Sequence, residues 1–162
     1  MKKRYASLAN YSIFKHLLRW TSLVFPIAIT TGSAVALFLW LLSSAIHFRF
    51  LHSWLLFLLP AAGVLIYLIY QSVGKNSEKG NNLVIEEIHQ PGGGIPTRMA
   101  PIILVTTVIT HLFGGSAGRE GTAVQIGGSI AGMFGNWFKL NEQDTRIMLI
   151  AGIAAGFGAV FG

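Results

Sequence analysis

Gly114-Gly-Ser-Ala-Gly-Arg-Glu-Gly-Thr122 is a glycine-rich turn between two apolar stretches, and it carries a glutamate, Glu120, where the surrounding sequence leaves little room for charge. Of the six acidic residues in the chain, the other five lie in polar connecting stretches or in a helix's first turn. Placing a charged carboxylate at membrane depth costs roughly several kcal/mol, so such residues mark ion or proton paths. Glycines in the turn open dihedrals closed to other residues and leave backbone N–H groups uncovered. A helix starting near Gly121 aims its positive dipole end at whatever lies above it, which is how broken helices hold anions near a membrane midplane. Glu120 is therefore expected to occupy that anion position as a carboxylate and to leave it when protonated. The plainer alternative is that Arg119 and Glu120 form a loop ion pair at the membrane surface. A phosphate-cradling loop is excluded, since it requires Gly-Lys-Ser/Thr and this turn has Arg-Glu-Gly-Thr, and no GxGxxG follows a strand.

The flanking sequence is built for a bilayer. The chain has 162 residues, 52% hydrophobic and 11% charged, with a mean hydropathy of +0.59, which is more apolar side chain than a soluble domain of this size can hide. Ser22 to Ile46 runs 25 residues without a charge, long enough to span even with Pro26 and Gly32 in it, and too long for the apolar core of a cleaved signal peptide. A short connection with His47 and Arg49 leads to a second run, Phe50 to Val73, and the pair reads as an antiparallel hairpin. Residues 74–99 are polar, and within them Leu83, Val84, Ile85 and Ile88 form one face of a short amphipathic helix with Glu86 and Glu87 on the wet side. Pro101 to Ala117 is a third apolar segment, better packed inside a bundle than free in lipid. Gly121 to Phe138 follows, with Gly128, Gly132 and Gly135 spaced for close helix approach. Asn141 caps a last helix bearing Glu142 and Asp144 in its first turn and continuing as Ile147 to Gly162. The result is an all-α polytopic membrane protein with broken helices, and residues 1–162 form one transmembrane domain. No cap or polar tail follows Gly162, so the domain is expected to be incomplete.

Lys2, Lys3, Arg4, Lys15 and Arg19 precede the first apolar run without an accompanying acid. The positive-inside rule puts this segment, residues 1–20, in the cytoplasm. Because the cluster abuts a hydrophobic segment, a nucleic-acid arm is the weaker reading, and no nucleic-acid partner is expected. Trp20, Trp40, Trp54 and Trp137 lie near segment ends and read as interface anchors.

The run Gly118-Arg-Glu-Gly-Thr-Ala-Val-Gln-Ile-Gly-Gly-Ser-Ile130 resembles the "GREGPxxxxG" signature of the CLC anion channels and transporters. Ala151-Gly-Ile-Ala-Ala-Gly-Phe-Gly-Ala-Val-Phe-Gly162 is similar to the small-residue segment near the end of that family's first half. The resemblance implies an inverted-repeat helical fold of which this chain holds the first half, and a homodimer in which each subunit has its own anion pathway. It also implies that Glu120 is the gating and proton-transfer glutamate, with Gly118, Arg119, Gly121 and Thr122 around the anion. The family's other anion loop reads "GSGIP". Gly93-Gly-Ile-Pro96 looks like it but lies too close to Glu120, and the family's spacing puts the loop at Gly80-Asn-Asn-Leu-Val84. Asn81 then stands for the central serine, with Asn82 beside it, unless the two asparagines merely form a turn. Thr122 stands where most members have proline. "GREGT" without the serine resembles the fluoride-exporting branch, and fluoride, small and tightly hydrated, gains from the donors that Asn81 and Thr122 offer.

The expected function is fluoride export by fluoride/proton antiport in a multi-pass cell-membrane protein. A chloride channel or chloride/proton exchanger of the same family is the first alternative, and a truncated, non-transporting membrane protein the second. Arg119 either raises local potential for anions or anchors the loop. His111 reads as a packed, hydrogen-bonded side chain. An enzyme is not expected: His16, His47, His52, His89 and His111 show no ligand motif, no cysteine is present, and no metal or cofactor is called for.

Overall fold

The computed structural model describes the backbone of residues 2–90 and 92–162 and the side chains from Ile13 onward. The described residues form helices and connecting loops with no strand, as expected. In chain order these are α1 (Lys2–Leu51), a 3-10 turn (Ser53–Leu58), α2 (Leu59–Ser72), α3 (Asn81–His89), α4 (Met99–Leu112), α5 (Arg119–Trp137) and α6 (Glu142–Phe161). Ile13–Leu51, Ser53–Ser72 and Glu142–Phe161 are long and apolar enough to cross a membrane.

α1 differs from expectation. The basic segment and the first span are one helix of 50 residues, about 75 Å at 1.5 Å per residue. Nothing between Lys2 and Ser22 stops a helix: glycine, proline and capping patterns are absent, and Ala, Leu, Lys and Arg favour it. Pro26 removes one backbone donor, and the Thr30 hydroxyl donates to its carbonyl at 2.8 Å. The side chains of Lys2, Lys3 and Arg4, on which the orientation reading partly rests, lie outside the described residues. Ile27, Thr31, Val35, Phe38, Leu42 and Ala45 recur at helical spacing and form the buried stripe. This stripe packs against α4, α5 and α6, and the Arg19 guanidinium meets the Asp144 carboxylate at 2.7 Å to tie α1 to α6. α2 packs on α4 rather than along α1, so the expected hairpin is not the contact that holds the two spans.

The most extensive packing joins α5 to α6. Small residues bring the backbones together, but not in the phase expected. A Cβ added to Gly127 would overlap the Gly152 carbonyl, and one added to Gly156 would overlap that of Ala123. The touching stripe is thus Ala123, Gly127 and Ala131 against Gly152 and Gly156. Gly128 and Gly132 face Val84 and Ile95 instead, and Gly135 faces Thr145. Ser129, fully buried on α5, caps α4 from outside: its hydroxyl lies 2.8 Å from the Pro96 carbonyl and 3.1 Å from that of Thr97, and accepts from the Ala100 N–H at 3.3 Å. α6 starts as expected, with the Asn141 side-chain oxygen accepting from the Asp144 N–H at 2.7 Å.

Gly127→Ala should lower stability by about 3 kcal/mol or more, because the backbones must separate. Gly158→Ala, where no atom lies within 4 Å of the added methyl, should cost nothing. Thermal unfolding of the detergent-purified protein separates the two outcomes.

Candidate functional site

α4 ends at Leu112, and the chain turns through Gly114, whose φ of +86° is open to glycine. The backbone bonds Gly114 N–H to His111 O (3.1 Å) and Gly115 N–H to Thr110 O (2.8 Å) close that turn. The chain then extends to Gly118, the N-cap of α5, where no side chain caps the helix. Glu120 stands in the first turn of α5. Its carboxylate folds back over the start of its own helix, with Oε2 3.8 Å from the place a Gly118 methyl would occupy. Arg119 Nε lies 3.5 Å from Glu120 Oε1, with the two side chains 58% and 43% exposed. That separation is at the outer limit of a hydrogen bond, and a pair so exposed holds weakly, so the carboxylate is free to swing.

A second helix start meets the first. Gly80 caps α3 with φ +57° and ψ −129°, again without a side-chain cap. Asn81, the first residue of α3, packs its side chain on Gly121: a methyl added there would lie 2.9 Å from Asn81 Nδ2. One turn further along α5, the buried Gln125 amide faces Gly80. Two helix N-termini, each a positive dipole end, thus converge beside one carboxylate; the first-turn amides of α3 bond back to Lys79 and Gly80, at 3.1 Å each, and the side-chain amide of Asn81 is the donor that α3 brings. Such a place attracts an anion.

The structure sorts the other sequence candidates. Gly118, Arg119 and Gly121 belong to the converging helix starts. Asn82 does not: one residue rotates about 100° around a helix, and Asn82 lines a shallow groove with Ile85, Glu86, His89 and Gln90. The Thr122 hydroxyl is engaged within the protein, donating to the Gly118 carbonyl at 3.1 Å and paired with the Thr107 hydroxyl at 3.0 Å. It braces α5 against α4 and does not offer a free donor. His111 places Nδ1 2.9 Å from the Thr107 carbonyl, in the packed role expected of it. Gly93-Gly-Ile-Pro96 stays away from Glu120: Ile95 packs on Gly128 and Gly132, two to three turns down α5. Glu87, expected on the wet face, is only 6% exposed. Gln125 and Thr107 went unread in the sequence, although Gln125 lies one turn from Gly121 on a helix otherwise rich in small residues. Among the described residues no group of acids and histidines is arranged to hold a metal ion.

The class these features define is an all-helical, membrane-type protein with a glutamate at paired helix starts, and comparison with known proteins narrows it. The family profile described as "Voltage gated chloride channel" matches residues 62–162. A chloride/fluoride channel protein of Pseudomonas syringae pv. tomato is 47% identical over 150 residues, covering 93% of this chain and 33% of its own length. A crystal structure of a CLC-type fluoride/proton antiporter superposes with a TM-score of 0.84 at 38% identity, covering 90% of this chain and 37% of that one. The H(+)/Cl(-) exchange transporter ClcA of Vibrio cholerae is 34% identical over 85 residues, covering 43% of this chain and 18% of its own. The chain belongs to the voltage gated chloride channel (CLC) family. It spans about a third of the length of its fluoride-named relatives.

Thr122→Val should destabilise the protein by about 1–3 kcal/mol by leaving the buried Thr107 hydroxyl short of a partner, and Thr107→Val/Thr122→Val should recover part of that loss. Thermal unfolding of the three variants gives the coupling.

Proposed function

We propose that this chain forms part of a fluoride/proton antiporter, in which the anion binds where the starts of α3 and α5 meet and Glu120 exchanges with it. The observation that carries the reading is the Asn81 amide against Gly121, beside the carboxylate at the start of the same helix. The N–H groups of the α5 first turn and the Asn81 amide supply donors, and Arg119 adds positive potential. With Glu120 ionised, its carboxylate competes for the same donors and blocks the path. Once it is protonated, the competition ends, the side chain swings away, and an anion takes its place while the proton moves the other way. A small, strongly hydrated anion needs its lost water replaced by several donors, and an amide with two N–H groups suits it better than a single hydroxyl. The names carried by the relatives of higher identity, a chloride/fluoride channel protein and a fluoride/proton antiporter, support fluoride. Chloride transport by channel or proton exchange is the second reading, supported by the ClcA relative.

The protein acts as a multi-pass membrane protein with its basic N-terminus in the cytoplasm, and as a homodimer of complete chains. Anion efflux from liposomes containing purified full-length protein tests the substrate, with fluoride expected to leave faster than chloride; the reverse order defeats the fluoride assignment. In the same liposomes Glu120→Gln should abolish fluoride-driven proton movement. Unchanged proton movement would remove Glu120 from the mechanism.

A further inference from the structure

Glu87 is a carboxylate for which the transport reading has no use. It is 6% exposed, on the buried face of α3 with Val84. Among the described residues it has no cationic partner, since Lys79 goes to its neighbour Glu86 at 2.8 Å. Its charge is held by backbone alone: Oε1 accepts from the Gly92 N–H at 3.0 Å and Oε2 from the Gly94 N–H at 2.9 Å. Both glycines have positive φ, 150° and 70°, so the loop turns both amides toward one point.

That loop fastens α3 to α5. Directly after the two amides, Ile95 packs on Gly128 and Gly132, and the Pro96 and Thr97 carbonyls are held by Ser129. α3 has only nine residues, too few to persist by helix propensity; it meets α5 through Asn81 on Gly121 and Val84 on Gly128, and Leu83 and Ile88 pack against the same core. Glu87 adds an attachment of a different kind, hydrogen bonds to a loop fixed on α5, and so helps set the direction of α3 and the position of Asn81 about 9 Å up the helix. We infer that Glu87 is a positioning residue for the anion site, clamping the Gly92–Gly94 loop so that Asn81 stays seated on Gly121. A carboxylate suits the task, because only it offers two acceptors with no donor to conflict with the two N–H groups. In Glu87→Gln one of those N–H groups faces an amide NH2.

This inference rests on the proposed role of Asn81, and its test separates the two. Fluoride efflux and coupled proton movement are measured in liposomes containing full-length wild type, Glu87→Gln, Asn81→Ala and the double variant. Glu87→Gln should raise the fluoride KM about tenfold, the low end of the effect of losing one charge-assisted hydrogen bond, and leave the number of protons moved per fluoride unchanged. The double variant should be no worse than Asn81→Ala, because the clamp acts through Asn81. An unaltered KM in Glu87→Gln, or fully additive effects, overturns the inference. If Asn81→Ala itself leaves the KM unchanged, it is the proposed role of Asn81 that fails. Should Glu87→Gln not fold, Gly94→Ala strains the same loop through its φ while keeping the carboxylate, and is expected to raise the KM in the same direction. No rise there overturns the clamp.

Discussion

The contact between Asn81 and Gly121 constrains the rest of this structure. Gly121 presents no side chain and so leaves the space into which the Asn81 amide fits. Gly80 permits the approach on the other side, since its backbone conformation is closed to residues with a Cβ and it lies against Gln125. The loop after Gly114, the bracing of Thr122 by Thr107 and the cap that Ser129 places on α4 all fix where α5 begins. The Gly92–Gly94 loop holds Glu87, in the last turn of α3.

This arrangement links electrostatics to mobility. Three buried groups around the site are tightly satisfied: Thr122 by Gly118 and Thr107, Ser129 by three backbone groups, Glu87 by two amides. Glu120 is the contrast, half exposed and only loosely tied to Arg119. A rigid frame around one free carboxylate is what competition between that carboxylate and an anion requires. In the proposed exchange the frame would keep the donors in place while the occupant changes.

Much of the geometry of the candidate site was readable because it depends on local chemistry. A glutamate in a glycine turn between apolar segments marks the start of α5, and Asn141 followed by Glu142 and Asp144 marks the start of α6; both stand where the sequence puts them. The preference for Asn81 over the Gly93–Pro96 look-alike rests on the spacing of the family it resembles, and in the fold Asn81 lies against Gly121 while Ile95 lies two to three turns away. What the sequence hid depends on tertiary phase. Gly127 and Gly128 are equally small, and only the position of α6 decides which one meets a carbonyl. Glu86 and Glu87 are chemically alike, and only the return of the Gly92–Gly94 loop buries the second. The Thr122 hydroxyl looked free because its partner, Thr107, lies on another helix. The single helix from Lys2 to Leu51 was missed because polarity changes along it while helix propensity does not.

The central claim is that an anion binds where the Asn81 amide and the start of α5 meet, and Gly121→Ala probes it with one methyl. The methyl displaces the flexible end of Asn81 and leaves the backbone in place, so the variant should fold as wild type. Fluoride affinity measured by calorimetry on the purified full-length protein should then fall about tenfold, as expected for loss of one good hydrogen bond to an ion. A well-folded Gly121→Ala protein that binds fluoride as tightly as wild type would contradict the account.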